Sequence, residues 1–369
     1  MPPLNLLIKP ASGRCNMRCR YCFYADETSR RAVDDYGMMP EDVLEQMIRK
    51  ALAHAEGACT FGFQGGEPTL RGLDFFRRAV ELEKRYNVHG VRVENALQTN
   101  GLLLNAEWAE FLAREHFLVG LSVDGMAGLH NRNRPDAGGE GTLSRTLAAA
   151  ELLRRHNVTF NTLTVVTNDT ADKIDLVYDF FARHDLRWQQ YIPCLDAFGE
   201  RQGWLTAEKY GVFLTRLFDR WARDVMEGRF IYIRQFENYV GMLLGHPAEN
   251  CGMMGCCGMQ YTVEADGGVY PCDFYVLDAY RLGNFMTDDF DALDEKRRAL
   301  RFIEDSAQKD AECLRCRYYP LCRGGCRRDR DDGTGRLERT RFCAAYQRFF
   351  EYALPRLQSI ARGVEGKRI

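Results

Sequence analysis

The chain has 369 residues, 46% hydrophobic and 28% charged, and its 50 Lys+Arg against 52 Asp+Glu leave a net charge of −2. This is the composition of a folded globular protein, with room for two or three domains at about 150 residues each, and its near-neutral charge supplies no global field to draw in nucleic acid or anionic lipid. No apolar run reaches the ~18 residues of a membrane span, and the start, MPPLNLLIKP, lacks a secretory layout, so the expected location is cytoplasmic, with neither nucleic acid nor membrane as partner.

In chain order, apolar alternation predicts strands over 5–9, 59–63, 91–98, 117–123, 159–166 and 188–192. Between them, helical periodicity marks 41–54, 72–86, 106–116, 142–156 and 171–184. Pro40 suits a helix start, and Gly57, Gly90 and Asn157 suit the stops. Six strands with intervening helices predict an α/β fold, a parallel sheet curved into a partial (β/α)6 barrel over residues 1–204. Bridging helices are expected over 205–250, with a long one at 207–227, then a cysteine-rich domain at 251–345 and a closing helix and tail at 346–369.

Fourteen cysteines are too many for an ordinary cytoplasmic protein, where disulfides rarely persist, so metal or redox chemistry is the better account. They cluster: three at Cys15, Cys19 and Cys22, and nine between Cys251 and Cys343. Of the two alone in the middle, Cys59, inside a predicted strand, reads as a small buried apolar residue, and Cys194, near a strand end, as structural, with a position at the edge of a site as the alternative. Cys15-x3-Cys19-x2-Cys22 follows the first predicted strand, on the face where parallel α/β folds bind ligands. Three thiolates can hold three irons of a 4Fe–4S cluster and leave the fourth open. A zinc knuckle completed by a distant ligand is the alternative, although structural zinc takes four ligands.

The string CNMRCRYC, with Cys15, Asn16, Cys19, Tyr21 and Cys22, resembles the signature of radical S-adenosylmethionine enzymes. The longer run from Lys9 to Tyr24 resembles the anaerobic sulfatase-maturating enzymes within that superfamily, and later landmarks follow in order along nearly the whole chain. Gly65-Gly66-Glu67-Pro68 is similar to the family's GGEP loop, which meets the cofactor's amino group. Ser122 and Arg134 match the groups that hold its ribose and carboxylate, the latter suited to bidentate pairing, and Leu195 matches an adenine contact. The resemblance makes Asp273, after Cys272, the catalytic base, and Tyr24 and Gln64 substrate contacts.

The C-terminal thiols read Cys251-x5-Cys257-x14-Cys272 and Cys313-x2-Cys316-x5-Cys322-x3-Cys326-x16-Cys343, enough for two fully ligated 4Fe–4S clusters. The pattern resembles the SPASM extension. By that resemblance, not by spacing, Cys251, Cys257, Cys272 and Cys326 hold one auxiliary cluster, and Cys313, Cys316, Cys322 and Cys343 the other. Two structural zincs are the competing account of this segment. Cys256 is an extra thiol without a role.

The resemblance thus implies S-adenosylmethionine and three 4Fe–4S clusters, acting to oxidise a Cys or Ser of a sulfatase to Cα-formylglycine without oxygen. The partners implied are an unfolded or nascent sulfatase carrying Cys/Ser-x-Pro/Ala-x-Arg, and a low-potential electron donor such as flavodoxin or ferredoxin. A peptide maturase forming thioether or C–C crosslinks is the alternative within the superfamily. The first strand starting near Asn5 leaves no room for the N-terminal peptide-recognition domain many of those carry. A non-enzymatic zinc adaptor is the alternative of another class.

Overall fold

The structure, a computed structural model, describes residues 3–200 and 203–365. Its ten strands are β1 (Leu4–Ile8), β2 (Ala58–Phe63), β3 (Arg92–Thr99), β4 (Leu118–Ser122), β5 (Phe160–Val166), β6 (Trp188–Pro193), β7 (Tyr232–Ile233), β8 (Tyr261–Val263), β9 (Gly268–Tyr270) and β10 (Gly283–Asn284). The first six fall where hydrophobic alternation places them. So do the helices Glu41–His54, Leu73–Tyr86, Ala106–Arg114, Leu143–Arg155, Ile174–Arg183 and Ala207–Met226, within one to three residues at most ends. The exception is the last predicted connector, where a separate short helix, Asn168–Asp172, precedes Ile174–Arg183.

The chain forms two compact units, each drawn from several stretches of sequence. The first comprises Met1–Val123, Asn131–Phe160 and Met259–Phe302. In it β1, β2, β3 and β4 pair in parallel, with Leu6 opposite Phe61 and Phe61 opposite Asn95. β8 adds to the other side of β1, also in parallel, with Ile8 opposite Val263. β9 and β10 then continue antiparallel. The apolar side chains between strands and helices form one core that includes Ile8, Leu44, Phe61, Phe63, Phe76, Phe111, Val119 and Val263.

The second unit comprises Asp124–His130, Asn161–Gly258 and Ile303–Ile369. β5, β6 and β7 are parallel in it. Helix Ala207–Met226 packs on the closing helix Cys343–Glu365, and a Cβ at Gly211 would stand 3.2 Å from Ala345 Cα. Phe218 meets Phe349 edge-to-face across this interface, and Phe236, on the helix Arg234–Leu243, stacks on the same ring. Three helix-to-strand turns share one device: His116, Asn157 and Asp185 sit at φ of 53°, 56° and 53°, just past a helix end. This left-handed residue ends the helical hydrogen bonding and releases the chain into the next strand.

Candidate active site

In the first unit the polar residues gather at the C-terminal ends of β1 to β4. Lys9, directly after β1, is wholly buried, and its ammonium donates to Asp273 Oδ1 at 2.5 Å. Gln64, directly after β2, donates from Nε2 to Asp273 Oδ2 at 2.8 Å. Both carboxylate oxygens are therefore held, one by a charge and one by an amide, and the Asp273 side chain keeps 11% exposure. Lys9 Nζ also lies 3.7 Å from the centroid of the Tyr24 ring, a cation–π contact.

Tyr24 is itself fixed from behind. Its hydroxyl donates to Glu264 Oε1 and accepts from Arg31 Nη1 at 3.3 Å, while Ser12 Oγ donates to Glu264 Oε2 at 2.7 Å. Glu264 is fully buried, and Arg31 lies 3.8 Å from it. Burial, then the Glu264 charge, hold the Tyr24 phenol well above its usual range, so it stays neutral. Its proton is committed to Glu264, and what it presents elsewhere is a ring and an acceptor oxygen.

Glu67 orders the loop after β2. Its buried carboxylate accepts from Thr69 N at 3.1 Å, Thr69 Oγ1 at 2.6 Å, Thr99 Oγ1 at 2.7 Å and Asn100 N at 2.8 Å. Burial raises its pKa, while these donors favour the charged form. The preceding glycines have no substitute. Gly65 and Gly66 take φ of +126° and +54°, and a Cβ on Gly66 would lie 2.2 Å from Arg14 O. The loop thus packs directly on the strand-one loop that carries Cys15, and Glu67 N donates to Arg14 O at 2.8 Å. Asn100 Nδ2 donates to Asn16 Oδ1 at 2.7 Å, tying β3 to the same loop.

Tyr21 and Arg134 meet, with Arg134 Nη1 donating to the phenol oxygen at 3.1 Å. Arg134 is buried, and its carbonyl accepts from Thr142 Oγ1 at 2.6 Å. Ser122 Oγ accepts from Gln98 Nε2 at 3.0 Å. Cys15, Cys19 and Cys22 are close enough for their charges to act on one another, and burial pushes the Cys15 thiol up to about 12. A bound metal must therefore supply the driving force for its deprotonation.

In the second unit, Cys313, Cys316, Cys322 and Cys343 all line one cavity of about 550 Å³. The other three thiols act electrostatically on Cys322, whose pKa burial raises to about 11. Cys251 and Cys257 act in the same way on the half-buried Cys326. Cys272 belongs to the first unit, where it caps a short turn at Asp273–Tyr275. None of the fourteen cysteines forms a disulfide. Among the described residues, no group of three or more His, Cys, Asp or Glu side chains closes to the spacing of a single metal ion. A tetrahedral zinc with bonds of ~2.3 Å would draw four sulfurs together. Thiols ringing a cavity fit a larger group, as a cubane cluster is. Leu195, half-buried after β6, lines a separate polar cavity of about 700 Å³ with Asp196, Arg328 and Arg341.

Two family models match the chain: the radical SAM superfamily over residues 10–181 and SPASM, an iron–sulfur cluster-binding domain, over 255–317. The cysteine-type anaerobic sulfatase-maturating enzyme of Clostridium perfringens is 45% identical over 370 residues, covering 99% of this chain and 100% of that one. The chain belongs to the anaerobic sulfatase-maturating enzymes. The cysteine-type enzyme of Clostridium novyi is 41% identical, covering 98% of both chains, and the serine-type enzyme of Klebsiella aerogenes 32%, covering 99% of this chain and 88% of that one. A solved structure of native anSMEcpe with bound AdoMet and Cp18Cys peptide superposes with a TM-score of 0.93 at 44% identity, covering 98% of this chain and 100% of that one. Streptococcus suis SuiB, at 17% identity and a TM-score of 0.60, covering 88% of this chain and 72% of that one, shares the fold.

As a radical SAM and SPASM protein, this sulfatase-maturating family member takes S-adenosylmethionine and iron–sulfur clusters as cofactors. The structure brings Asp273 together with Gln64, and both with Lys9, which sequence reasoning quoted within a motif without giving it a role. Ser12, in the same run, likewise had no role, and Arg31 and Glu264 were missed altogether. Glu264 sits in Tyr-Thr-Val-Glu-Ala-Asp-Gly, where an acid before a turn is indistinguishable from a solvated one until the β8 pairing buries it.

Proposed function

We propose that this protein oxidises a cysteine of a sulfatase segment to Cα-formylglycine, with Asp273 as the base. The observation that carries this reading is the clamped carboxylate, Lys9 on one oxygen and Gln64 on the other. When bound, S-adenosylmethionine and the clusters supply the radical that removes a hydrogen atom from the substrate Cβ and the acceptor for the electron left behind. The chain's own task is to take the thiol proton. Oδ1 faces the Lys9 ammonium, so the proton goes to Oδ2, whose partner is the neutral Gln64 amide. Loss of one hydrogen atom, one proton and one electron turns CH2–SH into a thioaldehyde. Water then replaces the sulfur, giving the aldehyde and hydrogen sulfide.

Cys15, Cys19 and Cys22 would hold the cluster that binds the cofactor, with the Gly65-Gly66 loop, Ser122, Arg134, Tyr21 and Leu195 around it. Arg134 suits a carboxylate, and Tyr21 fixes its orientation. Cys251, Cys257, Cys272 and Cys326, and Cys313, Cys316, Cys322 and Cys343, would hold two auxiliary clusters. A low-potential flavodoxin or ferredoxin is the electron donor in this reading. The cysteine-type relatives at 45% and 41% identity, against 32% for a serine-type one, support cysteine as the target.

The test is anaerobic incubation of reduced, cluster-loaded protein with S-adenosylmethionine and a Cys-x-Pro-x-Arg peptide or its Ser analogue, read by mass spectrometry. From the side-chain inventory, Cys conversion loses about 18 Da and Ser conversion about 2 Da. A loss of about 2 Da from the Cys peptide that persists in water and does not react with a carbonyl reagent, unlike the thioaldehyde, would instead mark a thioether crosslink and overturn the reading.

A further inference from the structure

Lys309 and Arg330 form an unusual pair in the second unit. Lys309 Nζ donates to Gly255 O at 2.6 Å and Ser306 O at 2.5 Å, with a longer contact to Gln308 O at 3.4 Å. Arg330, 4% exposed, donates from Nη1 to Ser306 O at 2.7 Å, from Nε to Glu338 O at 3.1 Å and from Nη2 to Gln308 O. Every one of these bonds ends on a backbone carbonyl. Two neighbouring cations, one buried and one half-buried, thus rest on neutral acceptors, an arrangement that is unfavourable unless an anion lies close.

The groups that would supply that anion are the neighbouring cysteine sulfurs, once a cluster holds them as thiolates. Cys257 and Cys313 both act electrostatically on Lys309, and both act on Arg330. Ser306 joins the two regions mechanically: its Oγ accepts from Cys257 N at 2.8 Å, and its carbonyl receives both cations. The lysine stem also runs against the loop between Cys322 and Cys326, since a Cβ on Gly324 would lie 2.8 Å from Lys309 Cδ and Cε. One cation pair therefore touches or faces the peptide around thiols of both auxiliary sets.

We propose that Lys309 and Arg330 are a shared cationic bridge that sets the reduction potentials of both auxiliary clusters together, a role that rests on the iron–sulfur reading of these thiols. A reduced cluster carries one more negative charge than its oxidised form. A nearby cation therefore favours reduction, and removing that cation lowers the potential. A bridge between both sets predicts that one substitution moves two clusters.

The experiment uses full-length protein carrying Cys15, Cys19 and Cys22→Ala, so that only auxiliary clusters contribute. Iron content is measured first, and then the reduced-cluster paramagnetic resonance signals are followed through a potentiometric titration. Lys309→Gln and Arg330→Gln should each shift the ratio of oxidised to reduced cluster about tenfold toward oxidised at the parent's midpoint, or ~59 mV for a one-electron couple. Both transitions should move, and Lys309→Arg should leave them in place. About eight irons with unchanged potentials, or a shift in one cluster alone, would overturn the bridge. If the Gln variants lose iron while Lys309→Arg and Arg330→Lys keep it, the charge retains the clusters instead of tuning them, and the proposal fails. If the charge-preserving swaps lose iron too, the pair is a packing element and the proposal fails. Iron absent from the parent would instead refute the cluster reading.

Discussion

Asp273→Asn separates radical generation from product formation. The substitution is nearly isosteric, and the new Oδ1 can still accept from Lys9, as the carboxylate does at 2.5 Å. The new Nδ2 would oppose Gln64 Nε2, now 2.8 Å from Oδ2, unless the Gln64 amide turns over to offer its oxygen. That turn costs little, so the geometry survives and two properties are lost: a proton acceptor and a countercharge. Lys9, with no exposed surface, keeps a buried ammonium whose partner has become neutral, and breaking a buried pair costs about 3–5 kcal/mol. Loss of a positioned base typically removes about 10²–10⁴-fold of rate. Anaerobic turnover should therefore still yield 5′-deoxyadenosine, with formylglycine at least about 10²-fold down by mass spectrometry. The double variant Lys9→Met/Asp273→Asn removes both charges and should be more resistant to unfolding than either single variant. Formylglycine at the parent rate from Asp273→Asn, with full iron content, would refute the assignment of Asp273 as base.

Three further outcomes follow from the same structure. Reconstituted protein should hold about twelve irons, and Cys15/Cys19/Cys22→Ala about eight, with no cofactor cleavage; a residue near four irons would show that the eight C-terminal ligands are wrongly chosen. Glu264→Gln keeps size but loses the charge that orders Tyr24, Ser12 and Arg31, so product per 5′-deoxyadenosine should fall several-fold, and an unchanged ratio would reduce Glu264 to a packing role. Glu83, buried on Leu73–Tyr86, has its pKa raised to about 7 by burial. A carboxyl raised in the folded state costs stability as pH rises from the ordinary value toward 7, so Glu83→Gln should gain up to ~3 kcal/mol over the parent by pH 8 and little at pH 5, read as a widening gap in Tm; a constant gap would contradict it.

The parallel strands and their helices were legible because each carries a periodic apolar face long enough to stand out, as in Phe61 and Phe63 or Phe75, Phe76 and Val80. The cysteine loops were legible because metal ligation constrains spacing. What the sequence concealed was short or distant. β8 and β9 have three residues each, too few for a period. The helix Arg234–Leu243 lies within a stretch expected to be helical, but its ends carry no cap signal, and no side-chain cap bond forms at Ile233. Lys9, Arg31 and Glu264 looked like ordinary charges, since nothing local says which of many acids and bases will be buried.

The pairing of β8 with β1 explains why the charges around Asp273 can exist at all. Lys9 N donates to Val263 O at 2.8 Å, so the residue after β1 and the residue after β8, Lys9 and Glu264, are set side by side by backbone alone. Glu264 N then closes on Gly268 O, and Gly267 at φ +83° turns the chain back through β9. β9 ends at Tyr270, which leaves Pro271 and Cys272 to deliver Asp273 onto the Lys9 ammonium. A buried lysine, a buried glutamate and a nearly buried aspartate would each be intolerable alone. Asp273 meets Lys9, Lys9 lies over the Tyr24 ring, and the neutral Tyr24 hydroxyl bridges Glu264 and Arg31, so these charges compensate one another. The Asp273 carboxylate is thereby held to one orientation by Lys9 and Gln64, residues far from it in the chain.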